Sequence, residues 1–196
     1  MFLNAEAYAQ IGANQTVLNW IKSGVPLIFD QKPPEQFEIK NQKFNDRHHK
    51  FIKTEIQDLC ASGCVKLCKE KPHCVSPIKC IPKKNKKLRL ICDLRQVNDS
   101  LSVKKFSNEG INTVASLISP QDKLATVDLK SGFYHVHVNE EHQKYLGFEF
   151  DGQYFVWCVL PFGLRCSPYY FYKVLRPVVQ YLYSDLGLRV VLHITV

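Results

Sequence analysis

The segment Val159-Leu160-Pro161-Phe162-Gly163-Leu164-Arg165-Cys166-Ser167-Pro168 constrains the fold more than any other stretch of the chain. Pro161 fixes one backbone angle and Gly163 admits values closed to other residues, so the segment is a shaped turn. Ser167 then reads as an N-cap, and Pro168 as a first-turn proline, for an aromatic helix beginning Tyr169-Tyr170-Phe171. Just upstream, Phe148-Glu149-Phe150 and Tyr154-Phe155-Val156-Trp157 flank Asp151-Gly152-Gln153, and Asp-Gly is the strongest short hairpin signal. The sequence therefore predicts a hairpin that feeds a turn that feeds a helix.

A chain of 196 residues has room for one domain or two small lobes, and 45% apolar content suffices for a real core. A net charge of +8 and a pI near 9.0 favour a polyanionic partner such as nucleic acid. No apolar run approaches the ~20 residues of a membrane span, so no membrane partner is expected. The start Met1-Phe2-Leu3-Asn4-Ala5-Glu6 lacks the basic residues and apolar block of a secretion signal. The expected location is intracellular, with cytoplasm and nucleus not distinguished.

In chain order, a short helix is expected through Thr16–Lys22, stopped by Gly24, with Trp20 packed on the main body. Lys32-Pro33-Pro34-Glu35 reads as an extended connector, because proline is excluded from helix interiors and biases its predecessor to open conformations. An amphipathic helix opens at Asp46, with an apolar face of Phe51, Ile52, Ile56, Leu59 and Cys60, and ends at Gly63. Its other face is wet and mostly charged. Strands follow, Val75–Pro82 and Lys86–Leu94, joined at Lys83-Lys84-Asn85 as a β-hairpin.

The hairpin tip gathers Lys79, Lys83, Lys84, Lys86, Lys87 and Arg89 without one acid. Such a density reads either as a solvated loop or as a phosphate-gripping finger, and the convergence of side chains at a tip favours the finger. A helix over Thr113–Ile118 ends at Ser119-Pro120, and Leu124–Leu129 reads as a buried strand ending in a carboxylate. Asp128, between Val127 and Leu129, would then need a hydrogen bond, an ion pair or a cation to offset desolvation. The plainer alternative is an aspartate that caps the turn Lys130-Ser131-Gly132.

Five of the eight cysteines, Cys60, Cys64, Cys68, Cys74 and Cys80, lie close together, but their spacing is nearly even. Structural zinc sites bring ligands as close pairs joined by a longer spacer, so buried thiols are the better reading. Cys60 completes a helix face, while Cys92 and Cys158 sit in apolar runs. A zinc module ranks a distant third among functional readings.

Four blocks carry a resemblance: Leu88–Asn98, Ala125–Tyr134, the hairpin leading to Trp157, and Leu160-Pro161-Phe162-Gly163-Leu164. In this order and spacing the chain resembles a reverse transcriptase domain of Ty3-like or DIRS-like retrotransposons. The resemblance implies an α+β right-hand polymerase fold, with fingers plus an incomplete palm, a mixed sheet with packed helices, and no thumb. It implies an N-terminal extension over 1–45, fingers over 46–120 and palm over 121–196.

The activity implied is template-directed nucleotidyl transfer with Mg2+, a primer-template of RNA or DNA, and deoxynucleoside triphosphates. In such enzymes two magnesium ions act on the primer hydroxyl and the leaving pyrophosphate, which requires several carboxylates at one point. By resemblance Asp128 is the first of these, with the Leu129 carbonyl beside it. Lys83 and Arg89 would grip the triphosphate, and the Ser131 and Gly132 backbone would approach it. Phe133 would lie under the sugar and exclude a ribose 2′-hydroxyl. Phe162 and Gly163 would pack against sugar and template-side base, while Arg95, Lys84, Lys86 and Lys87 would hold nucleic acid.

The departure from the family comes after the aromatic helix, in which Pro177 is expected to bend or stop the chain. Leu188–Leu192 looks like the strand that delivers a Tyr-x-Asp-Asp turn, but His193-Ile194-Thr195-Val196 follows. Asp185 lies before that strand, and His193 is a poor magnesium ligand. The expectation is a truncated domain, inactive as it stands. The alternative is a non-catalytic nucleic-acid-binding relic of a retroelement polymerase.

Overall fold

The structure, a computed structural model, describes residues 3–82, 87–102, 104 and 109–194. Two helices open it, α1 (Ala5–Gln10) and α2 (Gln15–Ser23). Each begins on an asparagine whose side-chain oxygen accepts backbone N–H groups, Asn4 from Glu6 and Ala7, Asn14 from Val17. Trp20 meets Tyr170 edge-on at 5.0 Å between ring centroids, so this N-terminal pair is docked on the body.

After β1 (Phe37–Glu38), helix α3 (Asp46–Ala61) starts on Asn45, which accepts from the His48 N–H. Ile52, Ile56 and Leu59 are buried along its inner face, as their three-to-four-residue period requires. Strands β2 (Val65–Cys68) and β3 (Cys74–Val75) follow, then β4 (Ile78–Pro82) and β5 (Leu88–Cys92). The last two form the expected antiparallel hairpin, with Ile78 opposite Cys92 and Ile81 opposite Arg89. The expected Val75–Pro82 strand is split, however: Val75 pairs in the larger sheet, and the hairpin begins only after Pro77, which has no N–H to give a ladder. The hairpin tip, with Lys83, Lys84 and Lys86, lies outside the described residues.

Helices α4 (Arg95–Asn98) and α5 (Ile111–Leu117), a 3₁₀ turn over Gly132–His135, and α6 (Glu140–Gln143) lead to β6 (Gly147–Phe150) and β7 (Gln153–Trp157). Asp151 and Gly152 both take left-handed angles, φ 51° and 75°, as a two-residue hairpin with the strands' twist demands. The five-stranded mixed sheet runs β1-β3-β6-β7-β2, parallel in its first three members and antiparallel thereafter. Phe148, Ile52, Ile78, Leu146, Leu160 and Val97 are fully buried and belong to one core cluster. Each such side chain contributes about 1.5–3 kcal/mol relative to exposure.

Helix α7 (Ser167–Ser184) closes the core with Tyr170, Phe171 and Val174. One expectation fails here. Its N-cap is Cys166, because the Ser167 hydroxyl instead donates to the Pro161 carbonyl at 3.0 Å and ties the turn to the helix start. Pro177, expected to bend or stop the chain, does not stop the helix, which runs on to Ser184 with Val178 and Val179 half-buried beyond the proline.

Two expected strands are absent among the described residues. The segment 124–129 makes no ladder and is exposed, with Leu124 at 70% and Val127 at 86% of full exposure. An apolar run becomes a buried strand only where a neighbour pairs with it, and no described segment does so. Likewise 188–192 forms no strand: Arg189 donates to the Leu117 carbonyl at 2.6 Å, and the Leu192 N–H donates to Glu109 at 2.9 Å. Side-chain and loop partners have replaced a ladder.

Candidate nucleotide and nucleic-acid site

The alternation of β5 turns Leu90 and Cys92 into the core and leaves Arg89 exposed. Its guanidinium carbon stands 5.9 Å from the centroid of the Phe162 ring, a cation–π contact worth about 0.5–1 kcal/mol at an exposed site. Phe162, 38% exposed, in turn meets Phe133 at 5.2 Å and Tyr134 at 5.4 Å. Behind them Phe133 abuts Phe171 at 5.4 Å, and Tyr134 abuts Trp157 at the same distance. Basic hairpin, shaped turn and 3₁₀ turn thus share one wall.

A clasp holds that wall together. The Asn98 side chain at the end of α4 donates from Nδ2 to the Gly163 carbonyl and accepts at Oδ1 from the Arg165 N–H, both at 2.8 Å. It pairs with the turn as another backbone would. Gly163 sits at φ +87°, where any other residue is strained, so the turn presents Phe162 outward without distortion. Gly132 serves close approach: a Cβ there would fall 2.6 Å from Cζ of Phe171. Ser131, just before it, is left-handed at φ 53°.

Below the hairpin, Asp93 accepts from Lys79 at 2.8 Å and from two nitrogens of Arg95 at 2.8 and 2.7 Å. The Arg95 and Lys79 hydrogen bonds hold its carboxyl well below the usual carboxylate range. These residues line an open groove of about 490 Å³ that also includes Lys40, Gln42 and Gln96. Arg95 therefore has a fixed partner and still an exposed guanidinium at the groove. Lys87 lies exposed just ahead of β5.

The carboxylate end of the expected site is different. Asp128 and Leu129 lie on the exposed 124–129 segment, and Asp128 has no hydrogen-bond or ion-pair partner among the described residues. Asp128 is exposed and not at the end of a buried strand as expected, so its carboxylate carries no desolvation cost. Among the described residues no group of three or more His, Cys, Asp and Glu side chains could hold a metal ion. Asp185 is the exposed C-cap of α7, and His193 Nδ1 lies 2.9 Å from the Glu109 carbonyl.

The cysteines are all free thiols. Burial pushes Cys74, Cys92 and Cys166 up to about 12 and Cys158 up to about 11.

Sequence reasoning missed Asn98, Asp93, Tyr134 and Phe171. Asp93 and Asn98 do stand inside the Leu88–Asn98 block, but nothing in the position of Asn98 signals a partner 65 residues away.

A family model described as "Reverse transcriptase (RNA-dependent DNA polymerase)" matches residues 81–194, the span that contains Arg89, Asn98, Phe133, Tyr134 and Phe162 of this wall. The chain belongs to the reverse transcriptase family. Among curated relatives it is 31% identical over 99 residues to Polyprotein P3 of Commelina yellow mottle virus, covering 50% of this chain and 5% of that protein. It is 26% identical over 167 residues to the retrovirus-related Pol polyprotein from transposon 412 of Drosophila melanogaster, covering 79% of this chain and 13% of that one. This reverse transcriptase chain thus spans well under a quarter of the length of either relative.

The fold is shared with the protease-reverse transcriptase of prototype foamy virus, at TM-score 0.67 and 19% identity over 98% of this chain and 29% of that one. A foamy viral protease-reverse transcriptase solved with an RNA/DNA hybrid matches at TM-score 0.67 and 21% identity, again over 98% and 29%. The α+β expectation of mixed sheet and packed helices agrees with these likenesses.

Proposed function

We propose that this chain is the fingers and palm portion of an RNA-directed DNA polymerase of a Ty3-like retroelement, the kinship that its similarity to transposon polyproteins favours. The division into an extension over 1–45, fingers over 46–120 and palm over 121–196 belongs to the same reading. The observation that carries it is the shared wall of Arg89, Phe162 and Phe133, clasped by Asn98, in a chain of this family.

In this reading the exposed Arg89, with Lys83, receives the triphosphate, and its contact with Phe162 sets the guanidinium beside the surface where the sugar would lie. Phe133 underlies that surface and disfavours a ribose 2′-hydroxyl by steric exclusion, while the Ser131 and Gly132 backbone and Gly163 allow close approach. Arg95, Lys84, Lys86 and Lys87 hold the primer-template through phosphates. Magnesium would supply the charge stabilisation of nucleotidyl transfer, held by Asp128 and the Leu129 carbonyl. Those two groups alone do not make a magnesium cage, so this chain's own contribution is binding and orientation.

The eight free thiols favour a reducing, intracellular setting. A second reading, a non-catalytic nucleic-acid-binding relic, is favoured by Asp128, which has no partner among the described residues.

Binding of the 196-residue chain to a primed RNA template tests the proposal. Affinity should fall steeply with salt, at about −0.9 in log–log slope per contacted phosphate, and replacing Lys83, Lys84, Lys86 and Lys87 by alanine should flatten that slope. A flat salt response from the unaltered chain refutes the proposal. No primer extension is expected, and incorporation that Asp128→Asn abolishes would overturn the incompleteness of the metal site. Tighter template binding on adding deoxynucleoside triphosphate would argue against the relic.

A further inference from the structure

Strand β3 leaves the main sheet at Pro77, and the hydrogen bonds around its departure do not follow a ladder. Alongside β1, the Phe37 N–H donates to the His73 carbonyl and the Ile39 N–H to the Val75 carbonyl, at 3.2 and 2.9 Å. The next rung would need an N–H from Pro77, which has none. Alongside β6, the Ser76 N–H donates to the Gly147 carbonyl at 2.9 Å, and the next rung of this parallel ladder would run from the Ile78 N–H to the Glu149 carbonyl. That rung is replaced. The Ile78 N–H donates at 2.8 Å to Oδ1 of Asn41, and Nδ2 of Asn41 donates to the Glu149 carbonyl at 2.7 Å.

One side-chain amide thus stands in the ladder where two backbones would meet. Its orientation is fixed by chemistry, since an N–H can only donate and a carbonyl can only accept. The same Nδ2 lies 3.3 Å from Oε2 of Glu149, whose Oε1 accepts from the Gly152 N–H at 2.6 Å. Paired strands lie ~4.8 Å apart, which leaves no room for an amide between them, so β4 splays from β6 at this point. The hairpin β4–β5 accordingly forms a sheet of its own. The open groove lies at the insertion: Ile39, Lys40 and Gln42 line it beside Asn41, and Pro77, Ile78 and Lys79 line it at the hairpin root.

We propose that Asn41 is a positioning residue, a wedge whose amide sets the angle at which the basic hairpin leaves the sheet and so brings Arg89 onto Phe162. This rests on the functional reading above, in which Arg89 receives the triphosphate. Without the amide, nothing separates Ile78 from the Glu149 carbonyl, and the direct rung can close. Ile78 pairs with Cys92 and Ile81 with Arg89, so a rotation of β4 at its root carries the guanidinium with it. Arg89 stands 5.9 Å from the Phe162 centroid, against a limit of about 6 Å for a cation–π contact, so a small rotation separates them.

The test follows the Arg89 Nε–Hε signal, which the Phe162 ring displaces, by nuclear magnetic resonance of the 196-residue chain. Phe162→Leu marks the signal's position without the ring. Asn41→Ala should move the signal to that position. It should also weaken deoxynucleoside triphosphate binding on a primed template about two- to five-fold, the factor that one exposed cation–π contact supplies. Asn41→Asp should do the same, because its carboxylate faces the Glu149 carbonyl and carboxylate. Asn41→Asp/Glu149→Gln exchanges donor and acceptor between the two side chains and keeps an acceptor for the Ile78 N–H, so the displaced signal should return.

An Arg89 signal unmoved by Asn41→Ala overturns the wedge, even if the variant is less stable, since lost stability alone is what a merely structural asparagine gives. A double variant no different from Asn41→Asp overturns it too. Displacement by the variants, with Arg89 of the unaltered chain insensitive to deoxynucleoside triphosphate, overturns the functional reading and leaves the wedge standing.

Discussion

Asn98→Ala should loosen the site wall without emptying the core. The side chain makes two hydrogen bonds of 2.8 Å, to the Gly163 carbonyl and from the Arg165 N–H, both at the surface of the turn. A net 0.5–1.5 kcal/mol per bond gives about 1–3 kcal/mol for the pair. Because Gly163 and Arg165 are exposed, water replaces the lost partners, and the lower half of the range, about 1–2 kcal/mol, is expected. In a domain of this size that lowers Tm by about 2–8 °C.

Asn98→Asp sharpens the test. It keeps the acceptor for Arg165 but sets a carboxylate oxygen against the Gly163 carbonyl, so at pH 7 it should be at least as damaging as alanine. The damage should ease as the new carboxyl protonates below about pH 4. Urea denaturation and near-ultraviolet circular dichroism of the Phe162, Tyr134 and Trp157 cluster report both effects. An alanine variant with unchanged midpoint and spectrum, or an aspartate variant as stable as the native chain at pH 7, refutes the clasp.

Other predictions follow from the same geometry. Asp93→Asn should remove an acid-sensitive part of stability. The folded carboxyl titrates below its unfolded value, so its contribution is complete above about pH 4 and lost as pH falls further, and the variant's urea midpoint should vary less over that window. Gly132→Ala should cost about 1–3 kcal/mol by overpacking against Phe171, and Phe171→Leu should restore part of it in the double variant; additive losses would refute the contact. In the native protein, thiol reagents at pH 8 should label Cys60, Cys68 and Cys80 before the buried Cys74, Cys92 and Cys166, which mass spectrometry of labelled peptides resolves.

The sequence spoke clearly where local chemistry decides the outcome. The three-to-four-residue period of Ile52, Ile56 and Leu59 located α3, and Asp151-Gly152 located the β6–β7 hairpin, because each signal is complete within its own segment. Leu124–Leu129 has the composition of a strand, but a strand is a relation between two segments, and composition names only one of them. Ser167 has cap chemistry, but its hydroxyl donates to the Pro161 carbonyl six residues back. Asn98 was silent for the same reason: its partners are brought near by the turn and not by the chain around it. Arg89, Phe133 and Phe162 were legible as a set only through the family's block order, and the structure supplies the contacts among them.

In the proposed function, one wall of Arg89, Ser131–Phe133 and Phe162–Gly163 would receive the nucleotide. Nuclear magnetic resonance of the labelled chain on a primed template, titrated with a deoxynucleoside triphosphate and then with its ribo counterpart, measures this directly. Shifts confined to those residues, and weaker with the ribonucleotide, are predicted. Saturable shifts centred elsewhere, with Arg89 and Phe162 unmoved, would contradict it.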